Sequence, residues 1–172
     1  MTRDTLILAF WLVLLVLIQT LVLNHIYFFG FINPNLYLLF IFLYPFETKR
    51  SNFLIVSFLF GFCIDIFSNT GGVNAAATVA TAYFSLPILN LILNKQDNDF
   101  KLFKLNNEPV IRIVTYVTIL TFLHHFILFG LEYFNLKEIG TILFKTFTNG
   151  LFTIVLIVLS ILLTRKNKFM NQ

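Results

Sequence analysis

One acidic residue stands at the end of a long apolar run and is the first place to look for chemistry. Asp65 follows the charge-free residues 51–64 and lies two residues before the predicted end of a helix at 67. A carboxylate at the centre of a membrane segment costs about 2.5 to 3.5 kcal/mol on insertion scales, and less near the surface. Two interpretations are open: Asp65 contacts a partner or ligand, or it caps a helix end or the following turn.

Small residues surround this acid. Gly61, Asp65 and Asn69 lie at i, i+4 and i+8, so a bare backbone patch leads up to the carboxylate on one helix face and another chain could approach there. A small-xxx-small pattern, which lets two membrane helices pack closely, follows at Gly72, Ala76 and Ala80. These faces serve either the protein's own bundle or a partner helix.

A second polar group is predicted from the later helices. Thr118, Thr121, His125 and Glu132 follow one stripe, and Lys145, Asn149 and Thr153 repeat at four-residue spacing on the next helix. We expect an ion pair between Lys145 and either Asp65 or Glu132, because an unpaired charge would lose hydration without return. With Asn24 and His25, the group forms a small-ligand pocket, a docking groove or a structural network.

Catalytic and metal motifs are absent from the sequence. His124 and His125 are adjacent, so on a helix they point about 100° apart, and no third ligand stands at metal-site spacing. Phosphate loops, His-Glu-x-x-His and Gly-x-Ser-x-Gly elbows do not occur, and Cys63 has no second cysteine to pair with. We therefore expect no enzyme activity, no metal and no cofactor.

Composition identifies the elements that position these residues. The chain has 172 residues, of which 58% are hydrophobic and 12% charged, whereas soluble domains carry about a quarter charged residues. A soluble enzyme is excluded, and the basic residues are spread among the ends of apolar segments rather than gathered into a nucleic-acid-binding stripe. The pattern predicts an all-α integral membrane protein, a single polytopic domain over 1–172, with six transmembrane helices at about 5–23, 34–46, 51–67, 73–93, 110–130 and 141–164.

Signals at the helix ends support these bounds. Asn33 is a plausible cap with Pro34 at the first helical position, Ser51 caps the third helix, and residues 68–72 form a turn. Topology follows from the excess of Lys and Arg on the cytoplasmic side. An arrangement with both termini inside puts ten of the twelve basic residues there: Arg3, Lys49, Arg50, Lys95, Lys101, Lys104, Arg112, Arg165, Lys166 and Lys168. These basic edges are explained by topology, or they also bind anionic lipid or cytoskeletal partners.

The residues from Gly61 to Ala77 carry a family resemblance. An apolar helix ends in the pattern Gly-x-x-x-Asp-x-x-Ser and is followed by a glycine turn and an Ala-rich helix. The residues that define this pattern are Gly61, Asp65, Ser68, Asn69, Gly71, Gly72 and Asn74. This pattern resembles the MreD family of rod shape-determining proteins. Residues 19–34 and the Tyr-Pro-Phe at 44–46 look like its Bacteroidetes-type members. After about residue 95 the likeness is one of hydropathy.

The resemblance implies a non-enzymatic scaffold in the bacterial inner (cytoplasmic) membrane. MreD proteins partner with the single-span protein MreC in the elongation machinery, the elongasome, which also holds MreB, RodA and a penicillin-binding transpeptidase. The implied role is to help couple the MreB cytoskeleton to peptidoglycan synthesis and cell shape. The family's fold is similar to the substrate-binding subunits of energy-coupling-factor transporters, so the alternative function is a substrate-capturing subunit of a vitamin transporter.

On the first hypothesis, an outer groove around Asp65, Ser68, Asn69 and the Gly71-Gly72 turn docks the partner's membrane segment. On the second, the outer polar cluster encloses a small molecule. Such pockets usually combine aromatic side chains with several convergent polar groups.

Overall fold

The computed structural model describes residues 3–26, 30, 32–44, 49–93 and 108–164, and this part of the chain is almost entirely helical, without a β-strand. Its α-helices are α1 (Arg3–Leu17), α2 (Leu39–Leu43), α3 (Arg50–Ser68), α4 (Val73–Leu93), α5 (Val110–Tyr133) and α6 (Ile139–Thr164). The last four are long and apolar enough to cross a membrane. The chain is therefore a multi-pass membrane protein.

Helices α3 to α6 begin and end within three residues of the predicted bounds. Their apolar runs of roughly 20 residues are long enough to span a bilayer, and the helical hydrogen bonds satisfy the backbone groups of their interiors except at Pro87 of α4. The expected cap at Ser51 is wrong, because Ser51 lies inside α3 and Lys49 occupies the cap position without a side-chain hydrogen bond. The segment predicted as a polar loop or interfacial helix at 94–109 falls almost wholly outside the described residues.

The first two predicted helices are irregular. After α1 the chain continues through a π-helical turn at Ile18–Val22 and a 3-10 turn at Leu23–His25. Residues 33–35 form no helix, so Asn33 and Pro34 do not start one as expected, and a 3-10 turn at Leu36–Leu38 leads into the five-residue α2. At 1.5 to 2 Å per residue this stretch reaches well short of the ~30 Å hydrocarbon core. Pro45 and Phe46, at the predicted end, lie outside the described residues.

The short α2 and its preceding turn lie at the centre of the bundle. Leu38, Phe40 and Ile41 are at most 1% exposed. Around them α3 packs on α4, α4 on α5, and α5 on α6. Irregular backbone is tolerated at membrane depth only where protein surrounds it, and this segment meets that condition.

Helices α3 and α4 cross with their backbones in close contact. A Cβ atom added to Gly61 would lie 2.6 Å from the Cα atom of Ala75 and 2.9 Å from the carbonyl oxygen of Asn74. The bare patch predicted around Gly61 therefore exists, and the protein's own α4 occupies it. The predicted stripe of Gly72, Ala76 and Ala80 makes no close crossing within the protein's own bundle: Gly72 precedes α4, no atom lies within 4 Å of its added Cβ, and Ala76 is exposed. Contact of this stripe with a partner helix stays a prediction.

The turn between α3 and α4 depends on left-handed backbone. Asn69 ends α3 at φ 53°, and Gly71 and Gly72 follow at φ 64° and 96°. Asparagine and glycine tolerate such values best, because other side chains meet the following carbonyl. Gly72 is thus required for its φ rather than for close helix packing.

A proline inside α4 is matched by an arginine of α3. Pro87 has no N–H, so the carbonyl of Tyr83 four residues earlier loses its helical hydrogen bond. Arg50 Nη2 donates to that carbonyl at 3.1 Å, and its guanidinium lies 4.5 Å from the centre of the Tyr83 ring. Arg50 at the start of α3 therefore replaces the hydrogen-bond donor that α4 lacks at Pro87.

Candidate functional site

Asp65 caps the first turn of α4. One carboxylate oxygen, Oδ1, accepts hydrogen bonds from the Thr70 hydroxyl and from the backbone N–H and side-chain amide of Asn74, both at 3.0 Å. The other oxygen, Oδ2, accepts from the backbone N–H of Ala75 at 2.8 Å. These N–H groups belong to a helix start, where no intrahelical acceptor exists and the helix dipole favours an anion.

This geometry selects one of the two interpretations of Asp65. The residue is 4% exposed and both oxygens are engaged within the chain, so capping is what the carboxylate does. The interpretation that Asp65 itself contacts a partner or ligand is therefore corrected: its carboxylate holds the turn between α3 and α4. In that turn Asn69 and Gly71 are exposed, while Ser68 and Gly72 are half-buried and Asn74 is buried.

A chain of hydrogen bonds connects this cap to α5 through Tyr37, which lies in the central segment formed by the 3-10 turn Leu36–Leu38 and α2. Asn74 directs its amide N–H₂ to Asp65, so its carbonyl oxygen faces Tyr37, whose hydroxyl donates to it at 2.8 Å. The same hydroxyl lies 2.9 Å from His124 Nε2. Since the tyrosine proton is already used, Nε2 of His124 carries the hydrogen and donates.

The neighbouring histidine adopts the opposite tautomer. Nδ1 of His125 lies 2.8 Å from the carbonyl oxygen of Thr121, which only accepts, so Nδ1 carries the hydrogen. Nε2 of His125 lies 3.3 Å from Thr153 Oγ1, whose hydroxyl donates to the Asn149 carbonyl at 2.8 Å. Both rings are fully buried in this network, and among the described residues no group of three potential metal ligands comes together.

Side chains of α6 and of the π-helical turn that follows α1 hold the irregular backbone at 33–37. The N–H groups on either side of Pro34 bind α6: Asn33 N–H donates to Asn149 Oδ1 at 2.7 Å, and Asn35 N–H donates to Thr153 Oγ1 at 3.0 Å. Buried backbone groups require such partners when no helix supplies them.

Gln19 completes this attachment from the π-helical turn. Its amide donates to the Pro34 carbonyl at 3.2 Å and to Asn24 Oδ1 at 2.9 Å, and its Oε1 accepts from Tyr37 N–H at 3.3 Å. Asn24 in turn donates to Ser68 at 2.7 Å at the end of α3. One glutamine thus ties the first helix to the central segment and, through Asn24, to α3.

The expected ion pair of Lys145 is not formed. In the described part of the chain its ammonium meets no carboxylate; it lies 4.9 Å from the ring centre of Tyr133 and 5.7 Å from that of Phe129. Asp65 is occupied by its four donors, and Glu132 is exposed on the last turn of α5. The prediction placed the charges at similar depth correctly, because Lys145 and Glu132 line the same pocket, but depth alone does not make a contact.

This pocket, of about 450 Å³, lies at the end of the bundle where α3 and α5 end and α4 and α6 begin. Its volume is within the range of about 300–1,000 Å³ that small-molecule sites occupy. Lys145 and Glu132 supply an ammonium and a carboxylate, and the other lining residues are Gln19, Thr20, Asn24, His25, Asn33, Asn35, Tyr37, Ile64, Phe67, Ser68, Thr70, Val73, Asn74, Leu128, Phe129 and Asn149. Of the predicted outer polar group, Lys145, Glu132 and three further members line this cavity, namely Asn24, His25 and Asn149; Thr118, Thr121, His125 and Thr153 do not line it.

Sequence reasoning missed the two residues that connect the site. Gln19 and Tyr37 were not singled out, although Gln19 is a polar residue within the charge-free run 5–46. An uncharged polar side chain inside a membrane segment usually forms a hydrogen bond within the protein, and this rule could have identified Gln19 as a connecting residue. Tyr37 carried no comparable signal, because tyrosine is common in apolar segments.

Comparisons of the chain with protein-family models, with curated proteins and with solved structures give no match.

Proposed function

We propose that this chain is a non-enzymatic scaffold of the bacterial cell-elongation (rod) complex in the inner membrane, as the MreD-like segment 61–77 suggests. In this proposal α1 and the segment 32–44 join the four long helices in a six-segment bundle, related in fold to energy-coupling-factor substrate subunits, with both termini in the cytoplasm. Its role is to bind MreC and to help couple MreB, RodA and a penicillin-binding transpeptidase to peptidoglycan synthesis.

One observation carries the proposal. The residues that bear the resemblance are the ones that build a rigid corner: Gly61 allows α4 to approach, Asp65 caps it, and Gly71 and Gly72 make the turn. Both carboxylate oxygens of Asp65 accept hydrogen bonds within this corner. A carboxylate engaged in this way suits a structural role in a binding surface better than a role in catalysis.

A surface suited to a partner helix lies beside this corner. We call it the α3 ridge: Ile55, Phe58, Phe62 and Ile66, each at least 44% exposed. The rings of Phe58 and Phe62 stack with centres 5.9 Å apart, which makes a pre-ordered apolar face. The ridge leads directly to the exposed Asn69 and Gly71 of the turn, so a single-span partner could contact both its membrane face and its outer end.

Site-directed photocrosslinking in cells tests this assignment. A photoreactive residue at Phe62 or Ile66 is expected to crosslink to the single-span partner, whereas one at Val155 or Leu159, equally exposed on α6, is the matched control. Crosslinks from α6 but not from the α3 ridge would contradict the assignment. Loss of rod shape on deletion of the chain, rescued by the wild type, tests the cellular role.

The alternative function is capture of a vitamin for an energy-coupling-factor-type transporter. The 450 Å³ pocket, with mixed polar and aromatic lining, favours this reading. Affinity purification in mild detergent, with mass spectrometry of proteins and small molecules, separates the two. Recovery of MreC with elongation proteins supports the scaffold, and recovery of paired ATPases, an energy-coupling subunit or a vitamin supports transport.

A further inference from the structure

The pocket contains two opposite charges that do not neutralise each other. Lys145 of α6 and Glu132 of α5 both line it, and among the described residues no ion pair joins them. The Lys145 ammonium lies over the rings of Tyr133 and Phe129, on the last two turns of α5, so both charges are at the level of that helix end. Ring faces attract a cation but supply no hydrogen-bond acceptor of the strength of a carboxylate or phosphate.

A third group in the pocket is also incomplete. The side-chain oxygen of Asn33 is buried and accepts no hydrogen bond within the described part of the chain. The backbone N–H of the same residue donates to Asn149, and both residues line the pocket. A buried acceptor without a donor costs about 1 to 3 kcal/mol, and a ligand with an N–H group would recover it.

We propose that this pocket binds a small zwitterion that carries an anionic group and a primary ammonium group. The anionic group pairs with Lys145, and the ammonium group, with three donors, is shared between Glu132 and the Asn33 side-chain oxygen. A purely anionic ligand would leave Glu132 facing like charge, and a purely cationic one would do the same to Lys145. The inference is independent of the scaffold proposal, because it concerns the chain alone.

Two sources offer this chemistry. One is the phosphoethanolamine headgroup of a membrane lipid, whose acyl chains would leave the pocket past its apolar members Ile64, Phe67 and Leu128. The other is a free zwitterion such as an amino acid. Both share the charge pair that the pocket complements, and they differ in whether binding needs a bilayer.

Native mass spectrometry and thermal unfolding distinguish the outcomes. The purified protein is placed in nanodiscs of equal phosphatidylethanolamine and phosphatidylcholine, since the choline group is quaternary and has no N–H to donate. The lipid-free protein in detergent is unfolded with and without O-phosphoethanolamine, glycine or inorganic phosphate. We expect preferential retention of phosphatidylethanolamine or, for a free ligand, a raised Tm with a zwitterion but not with phosphate.

Charge variants make the test specific. Lys145→Gln and Glu132→Gln should each weaken binding roughly tenfold, because each removes one charge-assisted contact of about 1.5 kcal/mol or more. Lys137→Gln and Glu138→Gln, exposed and outside the pocket, are the matched controls and should bind normally. Asn33→Ala keeps the backbone contact to Asn149 and should also weaken binding, which covers the case in which a charge variant fails to fold.

Selective retention of phosphatidylethanolamine that is lost in these variants supports a lipid site, and a Tm increase with the free zwitterion that is lost in them supports a solute site. Equal retention of both lipids together with no zwitterion effect overturns the proposal. Binding that is undiminished in Lys145→Gln, Glu132→Gln and Asn33→Ala overturns it as well. Because no partner protein is present, none of these outcomes depends on the scaffold role.

Discussion

The carboxylate of Asp65 accepts a hydrogen bond from the backbone N–H of Ala75 at 2.8 Å, so the last turn of α3 caps the first turn of α4. One turn before Asp65, Gly61 lets the Cα atom of the same Ala75 approach its backbone. Capping and close approach thus act on the same residue, and the angle and separation of the two helices are fixed at one point.

Removing this cap should destabilise the protein. Asp65→Ala leaves the Asn74 and Ala75 N–H groups without acceptors, and we expect a loss of roughly 2 to 4 kcal/mol from cap and desolvation costs. Asp65→Asn keeps one acceptor oxygen and should lose less. Thermal unfolding of the purified protein in one detergent measures both. A Tm of Asp65→Ala equal to that of wild type would show that the cap contributes little.

The close crossing predicts opposite results for two glycines inside helices. Gly61→Ala should destabilise the protein by about 1 to 3 kcal/mol, because the new Cβ meets backbone rather than a flexible side chain. Gly130→Ala in α5 is the matched control: no atom lies within 4 Å of its Cβ, and helix propensity favours alanine by up to about 1 kcal/mol. Unfolding of both variants decides this, and equal effects would contradict the assigned crossing.

The environment of Lys145 is tested by two double-mutant cycles. Lys145→Gln combined with Glu132→Gln should be additive within about 0.5 kcal/mol, because the two side chains form no ion pair. Lys145→Gln combined with Tyr133→Leu should show coupling of about 0.5 to 1 kcal/mol from the cation–π contact. Free energies of unfolding without added ligand give both values. Strong coupling in the first cycle would restore the ion pair that the sequence suggested.

Two fully buried tyrosine hydroxyls should differ in their contribution. Tyr37→Phe removes the group between Asn74 and His124, so two buried polar atoms lose their partner and we expect a cost of about 2 kcal/mol. Tyr116→Phe removes one longer hydrogen bond, of 3.3 Å to the Ser85 carbonyl, and should cost less than half as much. Both substitutions preserve ring packing. A larger loss for Tyr116→Phe would mean that the Tyr37 contacts are not formed.

The four long helices could be predicted because their signal is local. Long charge-free runs and the Asn69, Gly71 and Gly72 turn residues give α3 to α6 within three residues. The segment at 33–38 could not be predicted in the same way. Asn33 and Pro34 have the residue types of a helix start, yet the N–H groups of Asn33 and Asn35, on either side of the proline, donate to Asn149 and Thr153, which are more than a hundred residues away in sequence.

In the candidate site, too, the local features could be predicted and the contacts between helices could not. Helical spacing correctly grouped Asn149, His125 and Glu132 toward one end of the bundle, because spacing determines face and depth. It did not reveal which groups touch: Asp65 was already engaged by its own turn, and Lys145 found aromatic rings. Contacts depend on how the helices rotate and approach one another, and that information enters through non-local packing.

The hydrogen bonds between α6 and the segment around Pro34 also have a consequence for how the bundle assembles during synthesis. Residues 33 and 35 leave the ribosome more than a hundred residues before Asn149 and Thr153, which accept from their N–H groups. Until α6 has entered the bilayer, these N–H groups lack the acceptors that they have in the finished protein. The centre of the bundle is therefore completed last, by its final helix, and a nascent chain that stops at α5 is left with an open core.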